Sequence, residues 1–365
     1  MTQVTFFMEQ HVGHKTYYQN LRKYIETDSR ISATWIPVTY DLAPKSFMRR
    51  IPYLSSHFQG TLAGWRQTRE GLRNHKSDVS FFFTQVPAMF GGRLLQRVPY
   101  VLCTDLTPIQ FDQMGEHYGH TPDKIGLVRN YKQQVNARVF KKAAQILPWT
   151  RWAEQSFISD YGVSPGKLTI LPIGLDINKW CPSDNSSRGV VKILFVGADF
   201  FRKGGDLLLD AFHDLPSGHA ELVIVTRTTL PEQEGIKIYN DLQPNTPELV
   251  ALFQSCDIFV LPTKADAFGI VAAEASATGL PVLMTDVGGA SDIVVDGETG
   301  FLLPLEDVLV LTERLKFLIM HENIRRRMGA AARARAEQCF DARKNGKKVA
   351  DILLEVAEVD EKKLD

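Results

Sequence analysis

The chain has 365 residues and equal numbers of basic and acidic side chains, 42 Lys and Arg against 42 Asp and Glu. This length predicts two domains, and a formal charge of zero argues against a protein that binds nucleic acid along its phosphate backbone. The apolar fraction of 44% and the charged fraction of 23% are typical of a soluble globular protein.

The chain lacks the sequence features of secreted, membrane-spanning and disulfide-rich proteins. No apolar run reaches the roughly 18–20 residues that span a bilayer, and the first residues carry no signal-peptide pattern. The four cysteines are far apart and have no metal-binding spacing, so we expect neither a zinc site nor a disulfide framework. These features predict a cytoplasmic protein, either free or peripheral at the inner face of the membrane.

Short apolar runs alternate with helical patterns along most of the chain, which indicates βαβ units and an α/β fold class. Their near-continuous hydrophobicity is typical of parallel strands that are covered on both faces. The predicted strands are Val4–Met8, Thr34–Pro37, Val79–Phe83, Tyr100–Thr104, Gln145–Pro148, Val191–Val196, Glu221–Thr226, Ile258–Leu261 and Pro281–Thr285.

Residues 45–76 place seven cations among large apolar side chains. The cations are Lys45, Arg49, Arg50, Arg66, Arg69, Arg73 and Lys76, and the apolar residues include Phe47, Met48, Tyr53, Leu54, Phe58, Leu62 and Trp65. A basic amphipathic segment of this kind either makes a peripheral contact with an anionic membrane or covers the first sheet with its cations in water.

A polar segment at residues 174–189, rich in Gly, Pro, Asp and Ser, predicts a linker. We therefore expect two doubly wound domains of similar size, residues 1–180 and residues 188–340, with a final helix at 341–365 that returns to the first domain. Ligands of such sheets bind beyond the carboxyl ends of the strands, so a cleft between two facing sheets is the expected site.

Two adjacent cations, Arg202 and Lys203, follow the strand Val191–Val196 and precede two glycines at a predicted helix start. Arg forks onto phosphate oxygens, Lys adds a point charge, and the N-terminus of a helix favours an anion. Glycine lets the backbone approach a ligand closely. The segment therefore predicts a phosphate site; the alternative is a solvated cation pair on a loop.

Two carboxylates, Asp266 and Glu274, flank the start of a predicted helix at residues 268–278. Glu274 can accept hydrogen bonds from ribose hydroxyls, and Asp266 can reach hydroxyls at the other end of a diphosphate-sugar. Backbone amides that precede the helical hydrogen bonds can hold a phosphate, and they belong to Gly269, Ile270 and Val271. The alternative is that Asp266 caps the helix and Glu274 complements its dipole.

The run from Asp266 to Ala275, DAFGIVAAEA, resembles the E-x-F-G-x-x-x-x-E-A motif of family 4 glycosyltransferases, which have the GT-B fold. The resemblance extends over nearly the whole chain and is best from Val191 to Pro304. It implies two Rossmann-like domains that face a central cleft. It also implies metal-independent, retaining transfer of a hexose from a nucleoside diphosphate-sugar, more commonly UDP than GDP. Asp266 stands where the family has Glu, so the carboxylate arm is one methylene shorter.

The same resemblance assigns roles in the second half of the chain. Arg202 and Lys203 match the phosphate-binding pair of the family, and with Asp266 they are the expected catalytic residues. Many members carry Arg at the position of Ala198, and Arg227 is the candidate that compensates for its absence. Tyr239 is expected near the nucleotide base.

In the first half of the chain the resemblance is looser. Gly13 lies in the position of the glycine-rich loop of the family, where it lets a diphosphate or an acceptor approach. Asp105 follows the strand Tyr100–Thr104, where the family often has His-Asp, and it is the candidate for orienting the acceptor. The alternative for Asp105 is an Asx turn before Pro108.

The expected ligands are a nucleotide sugar and an acceptor that is a small molecule, a glycan or a lipid, with no metal, no other cofactor and no nucleic acid. Two alternatives use the same donor pocket: a nucleotide-sugar hydrolase or epimerase, and a non-catalytic nucleotide-sugar-binding protein. An NAD-dependent dehydrogenase is disfavoured, because no G-x-G-x-x-G follows either candidate first strand.

Overall fold

The computed structural model describes residues 1–10, 14–41, 56–183 and 189–364. The chain divides into two compact units, which are treated separately below. Unit 1 comprises Met1–Gln113, Thr121–Gly174 and Arg343–Asp365, and unit 2 comprises Met114–His120 and Leu175–Ala342.

Strands and helices alternate in both units, as expected for an α/β protein. The strands are β1 Thr2–Glu9, β2 Ile31–Val38, β3 Val79–Phe83, β4 Tyr100–Thr104, β5 Gln145–Pro148, β6 Val191–Val196, β7 Ala220–Val225, β8 Ile236–Tyr239, β9 Ile258–Leu261, β10 Val282–Thr285 and β11 Gly300–Leu303. The helices are α1 His14–Ile25, α2 Ser56–Asn74, α3 Gln85–Gly91, α4 Pro108–Gln113, α5 Leu127–Lys142, α6 Arg151–Ser159, α7 Gly205–His213, α8 Pro247–Gln254, α9 Ile270–Ala277, α10 Ala290–Ile293, α11 Val308–Met320, α12 Glu322–Cys339 and α13 Ala342–Leu364.

Unit 1 is built on a parallel sheet with the strand order β2-β1-β3-β4-β5. Every residue of β3 and β4 is buried, because helices cover both faces of a parallel sheet. Phe7 of β1 stacks on Phe82 of β3 with ring centroids 4.6 Å apart. The strand order reverses between β1 and β3, which is where a ligand of such a sheet is expected.

Helix α2 contains most of the described part of the basic segment at residues 45–76. Ala63 and Thr68 are buried, so one face of the helix packs onto unit 1. Arg66 pairs with Glu70 on the exposed face at 2.7 Å. Residues 45–55 lie outside the described part of the chain, so the membrane contact predicted for residues 45–76 stays a prediction. No helix among the described residues combines the length and the apolar content that crossing a bilayer requires.

Unit 2 is built on a parallel sheet with the strand order β11-β10-β9-β6-β7-β8. Its strand order reverses between β6 and β9, and these two strands pair directly, with Ile193 opposite Ile258. The loops that follow β6 and β9 therefore emerge side by side at the carboxyl edge of the sheet.

The chain enters unit 2 through a packed segment within residues 174–189, the predicted linker. Trp180 is buried there, and its ring meets Phe253 edge to face at 5.2 Å. Arg333 of α12 donates to the carbonyl oxygens of Ile177 and Trp180. Residues 184–188 of the same segment lie outside the described residues. The part before them therefore acts as a component of unit 2.

Helix α13 brings the chain back to unit 1. The Asn345 amide donates to the Pro172 carbonyl oxygen at 3.1 Å, and Asp351 pairs with Arg30 at 2.8 Å. Val349 and Leu353 are buried on the inner face of the helix. The end of the chain thus completes the unit that its beginning forms.

Candidate functional site

The loops after β6 and β9 meet where the strand order of unit 2 reverses. We call such a position the switch point of a sheet. Gly204 has φ +73°, and a Cβ atom there would lie 1.9 Å from the carbonyl oxygen of Pro262. The Lys264 amide donates to the Arg202 carbonyl oxygen at 3.0 Å. Only glycine permits the approach at position 204, and this contact brings the two charged loops together.

Lys203 and Asp266 form an ion pair across these two loops, between the Lys203 ammonium and Asp266 Oδ2. Their side chains are only 14% and 12% exposed. Partial burial strengthens the attraction between the two charges, because less water screens them. The structure therefore brings together two residues that the sequence analysis assigned to phosphate and to sugar.

The Arg202 guanidinium is held from three sides. Its Nη1 donates to the Ala265 carbonyl oxygen at 3.1 Å, and its Nε lies 3.3 Å from Asp199 Oδ2. Its Cζ lies 4.5 Å from the centroid of the Tyr118 ring, a cation–π contact. Tyr118 belongs to the short segment Met114–His120, which is part of unit 2 although the chain on either side belongs to unit 1.

A glycine also sets the start of α9. Gly269 has φ +89°, and a Cβ atom there would lie 2.8 Å from Met284 Cε. The helix begins at Ile270 rather than at the predicted residue 268, since a residue in this conformation cannot belong to it. Ala272 and Ala273 are the first amides to donate to the Gly269 carbonyl oxygen. The predicted phosphate-binding amides of Gly269, Ile270 and Val271 precede them, at the positive end of the helix dipole.

The loop after β10 supports Asp266 from its backbone side. Gly288 has φ +56°, and a Cβ atom there would lie 2.0 Å from the Asp266 carbonyl oxygen. The Gly289 amide donates to the Ala267 carbonyl oxygen at 3.0 Å. Two glycines, at positions 204 and 288, therefore fix the acidic loop that carries Asp266.

Glu274 is buried on the second turn of α9. Burial raises the pKa of its carboxyl to about 8, and the positive charge of Lys179 partly opposes this shift. The Lys179 ammonium itself donates to the Asn245 carbonyl oxygen. The carboxyl is therefore mainly protonated at neutral pH and can both donate and accept a hydrogen bond, whereas the sequence analysis expected only an acceptor.

Arg227 and Tyr239 lie at the carboxyl edge of the unit 2 sheet. Arg227 follows β7 and Tyr239 ends the neighbouring strand β8. The Arg227 amide donates to the Ala198 carbonyl oxygen at 3.3 Å, and the Arg227 side chain is exposed. Tyr239 ends β8, and its carbonyl oxygen accepts from Thr226 at 3.0 Å. Both residues lie at the carboxyl ends of β7 and β8, on the side of the sheet where α9 begins.

The remaining two predicted site residues belong to unit 1. Asp105 directly follows β4 at the carboxyl end of that strand and is partly buried. Gly13 lies outside the described residues. The structure therefore assigns Asp105 to the carboxyl edge of the unit 1 sheet.

The switch point of unit 1 holds a buried carboxylate that the sequence analysis missed. Glu9 ends β1, and its two oxygens accept from the Tyr40 hydroxyl at 2.7 Å and from the Thr84 hydroxyl at 2.5 Å. His14 Nδ1 lies 3.7 Å from the same carboxylate. Tyr40 and Thr84 have φ of +60° and +67°, conformations that are uncommon outside glycine.

Comparison with known proteins connects these features to a family. Residues 177–335 match the family model described as glycosyl transferases group 1, and this match lies wholly within unit 2. It includes Arg202, Lys203, Asp266, Glu274 and the glycine turns of unit 2.

Curated proteins that are similar to this chain are named as glycosyltransferases. The D-inositol 3-phosphate glycosyltransferase of Paenarthrobacter aurescens is 29% identical over 230 residues, 56% of this chain and 56% of that protein. The enzyme of the same name from Nocardia farcinica is 27% identical over 356 residues, 86% of this chain and 76% of that protein. The chain therefore spans about half the length of the first of these relatives.

Solved structures agree on the fold. Sucrose-phosphate synthase from Thermosynechococcus elongatus has a TM-score of 0.79 and 14% identity, covering 98% of this chain and 100% of that one. Alr3699/HepE of Anabaena, in complex with UDP and glucose, has a TM-score of 0.71 and 19% identity, covering 97% and 100%. The predicted α/β class with a two-domain GT-B fold is confirmed, and the sequence matches support a group 1 glycosyltransferase.

Proposed function

We propose that the protein is a retaining, metal-independent glycosyltransferase of family 4, which moves a hexose from a nucleoside diphosphate-sugar, UDP rather than GDP, to an acceptor hydroxyl. The observation that carries the proposal is the convergence of two cations with the start of α9 at the switch point of unit 2. The bound UDP and glucose in the Anabaena relative support a nucleotide sugar as the donor.

The cations are suited to exchange their present partners for a diphosphate. Lys203 pairs with one carboxylate, Asp266, and Arg202 pairs with another, Asp199, at 3.3 Å. A diphosphate offers more negative charge and more acceptor oxygens than a single carboxylate does. Tyr118 and the Ala265 carbonyl oxygen would continue to hold the Arg202 guanidinium during such an exchange.

The proposed reaction exchanges one bond at the anomeric carbon for another. The bond from this carbon to the leaving diphosphate oxygen breaks, and a bond to the acceptor oxygen forms on the same face of the sugar. The acceptor proton passes to the leaving diphosphate. Negative charge grows on the leaving oxygen, and Arg202, Lys203 and the amides at the start of α9 would stabilise it.

The two carboxylates would then position the donor. When the Lys203 ammonium moves to the phosphate, the Asp266 carboxylate becomes available to accept hydrogen bonds from sugar hydroxyls. Breaking this one ion pair therefore makes both side chains available to the donor. The protonated carboxyl of Glu274 can donate to one ribose hydroxyl and accept from the other. Burial of Glu274 excludes water that would otherwise compete for these hydrogen bonds.

The proposed acceptor is a molecule with a free hydroxyl group. We assign its orientation to Asp105 in unit 1, and the names of the curated relatives point to a phosphorylated polyol as the first acceptor to examine. Small molecules, glycans and lipids that carry a free hydroxyl remain the wider class. The reaction itself requires only a hydroxyl that can replace the diphosphate.

A donor screen followed by a transfer assay tests the proposal. Nucleotide sugars that raise the thermal unfolding temperature are first selected, since a ligand at about one hundred times its Kd stabilises a protein by about 2.7 kcal/mol. Transfer to a panel of polyols and glycans is then followed by mass spectrometry. We expect Arg202→Ala to lose transfer, and Arg326→Ala to keep it, because Arg326 pairs with Glu322 on the exposed surface of α12.

The products separate this function from its rivals. Transfer by Arg202→Ala at a rate near that of the wild type would contradict the assignment. Free or epimerised sugar formed without any acceptor would instead indicate the hydrolase or epimerase. Tight nucleotide binding with no turnover on any acceptor would indicate a binding protein.

A further inference from the structure

The loop that follows β7 carries a cation whose surroundings differ from those of Arg202 and Lys203. Lys203 pairs with Asp266, and Arg202 lies 3.3 Å from Asp199, so both already have a carboxylate partner. Arg227 forms no ion pair within the described part of the chain, and its side chain is exposed. Arg227 can therefore contact an anion without first giving up a carboxylate.

The backbone on either side of Arg227 is held by Asn240, which directly follows β8. The Asn240 side-chain amide donates to the Thr226 carbonyl oxygen at 2.9 Å and to the Thr228 carbonyl oxygen at 3.1 Å. An asparagine amide has two N–H groups, and these two hydrogen bonds use both of them. Asn240 thus joins the residue before Arg227 to the residue after it.

The loop after β7 is also joined to the loop after β6, which carries the other two cations. The Arg227 amide donates to the Ala198 carbonyl oxygen at 3.3 Å, and the Thr226 hydroxyl donates to the same oxygen at 3.4 Å. Ala198 and Arg202 belong to one short loop between β6 and α7, and all of these residues lie in unit 2. The contacts therefore place the backbone of Arg227 beside the proposed phosphate site.

We propose that Asn240 is a positioning residue, which fixes its loop so that Arg227 is the first cation to meet an incoming nucleoside diphosphate. A charge at the rim of a binding site mainly sets the association rate, whereas truncating a buried, hydrogen-bonded charge pair mainly changes the dissociation rate. Arg227 has the character of a rim charge, and Lys203 has that of the second kind. The inference rests on the proposed donor site, and it adds the order in which the cations act.

A fixed loop matters because an arginine side chain is long and loses conformational freedom when it binds. A backbone that is already held leaves less to be ordered at that moment, so more encounters with the ligand succeed. The hydrogen bonds of Asn240 compete with water, because its side chain is exposed. We therefore expect Asn240 to have a smaller effect than the charge that it positions.

Surface plasmon resonance with the full chain immobilised, and with UDP and GDP as probes, tests the proposal. Arg227→Ala should lower the association rate constant about fivefold at low salt, and the difference from the wild type should shrink at high salt. Its dissociation rate constant should change by less than about twofold. Arg227→Lys keeps the charge and should restore most of the association rate. The matched control is Arg327→Ala, since Arg327 is exposed on α12, and it should bind as the wild type does.

A double variant tests the part assigned to Asn240. Asn240→Ala should lower the association rate constant about twofold, and it should have no further effect in the Arg227→Ala background. Additive losses in the double variant would overturn the positioning role. A loss in Arg227→Ala that appears mainly in the dissociation rate would overturn the proposed order of contacts, and so would association at the wild-type rate. A wild type that binds neither nucleotide would instead overturn the donor site itself.

Discussion

The two sheets of this protein have the same kind of switch point and fill it with opposite chemistry. In unit 1 the carboxylate of Glu9 accepts from the neutral hydroxyls of Tyr40 and Thr84. In unit 2 the carboxylate of Asp266 pairs with the cation of Lys203. Among the described residues, the two switch points thus differ in the partners of the carboxylate: a lysine pairs with it in unit 2, whereas in unit 1 two hydroxyls donate to it and His14 Nδ1 lies 3.7 Å away.

This difference indicates what each unit can bind. A lysine that is paired with a carboxylate is already charged and already partly removed from water. Its ammonium can therefore move to a phosphate without a new desolvation cost. In unit 1, neutral hydroxyls donate to a buried carboxylate and so hold the loops that carry them. The backbone of Tyr40 and Thr84 is strained in these loops, because both residues have a positive φ. We therefore assign the anionic donor to unit 2. We call Glu9 and its donors Tyr40 and Thr84 the hub at Glu9, and we expect its role to be structural.

The largest expected effect comes from removing the cation of unit 2. Lys203→Ala should lower kcat/KM for the donor about 100- to 1,000-fold, because the variant loses a positive charge that stabilises the negative charge of the leaving diphosphate. Lys237→Ala is the matched control, since Lys237 is exposed on β8 and pairs with Glu221 at 3.1 Å. If steady-state kinetics show equal losses for both variants, the comparison between the two switch points fails.

The second prediction concerns the buried carboxyl of Glu274. The pKa of this carboxyl is raised from its ordinary value of 4.5 to about 8 by burial, so the unfolded chain ionises first as pH rises. The stability of the wild type should therefore fall between these two pH values, relative to that of Glu274→Gln. We expect a relative loss above about 1.4 kcal/mol, the equivalent of one pKa unit. Urea unfolding at several pH values in this range gives the free energy of unfolding of both proteins. If that of the wild type and that of Glu274→Gln change with pH in parallel, the carboxyl is not desolvated.

The third prediction addresses the hub in unit 1. Glu9→Gln should lower the free energy of unfolding by about 1–3 kcal/mol, because one of the two hydroxyls that donate to Glu9 loses its carboxylate acceptor. Nucleotide affinity should stay at the wild-type value. Glu26→Gln is the control, since this exposed partner of Arg22 should change stability by less than about 0.5 kcal/mol. A large loss of nucleotide affinity in Glu9→Gln with unchanged stability would show that unit 1 also holds the donor.

The fourth prediction separates binding from turnover at Asp266. Asp266→Asn releases the ammonium of Lys203 from its carboxylate, so we expect free nucleoside diphosphate to bind several-fold more tightly. Transfer should fall about tenfold, because the hydrogen bonds of the asparagine to sugar hydroxyls lack charge assistance. Calorimetric titration and initial rates measure the two quantities. A parallel fall in both would mean that Asp266 does not restrain Lys203.

The smallest expected effect is at Tyr118. Tyr118→Leu removes the ring that lies 4.5 Å from the Arg202 guanidinium and keeps an apolar side chain. We expect donor affinity to fall about two- to fivefold, the range of a cation–π contact at a partly exposed site. In the Arg202→Ala background the same change should have no further effect. Additive losses in the double variant would exclude a role for Tyr118 in positioning Arg202.

The sequence predicted the fully apolar strands well and missed the two edge strands of unit 2. Strands β3, β4, β5, β6 and β9 have the predicted bounds, because continuous apolar runs are what buried parallel strands require. Strand β8 was missed, since it lies at a sheet edge and only alternate residues face the core. Strand β11 at the other edge is four residues long and begins with glycine.

The candidate site was predictable where neighbours in sequence are neighbours in space. Arg202 and Lys203 precede a glycine turn, and the start of α9 follows another, so local patterns sufficed. The contact of Tyr118 with Arg202 and the hub at Glu9 join residues 84 and 75 positions apart. Such pairs depend on the tertiary fold, and no local pattern in one sequence indicates them.

Hydrogen–deuterium exchange with and without a nucleoside diphosphate tests the central claim most directly, because it reports on both switch points at once. We predict slower exchange at residues 197–206 and 262–272 of unit 2, including the amides at the start of α9, and unchanged exchange around Glu9 and Thr84 in unit 1. Protection confined to unit 1, or its absence at residues 262–272 when the ligand is saturating, would contradict the assignment of the donor to unit 2.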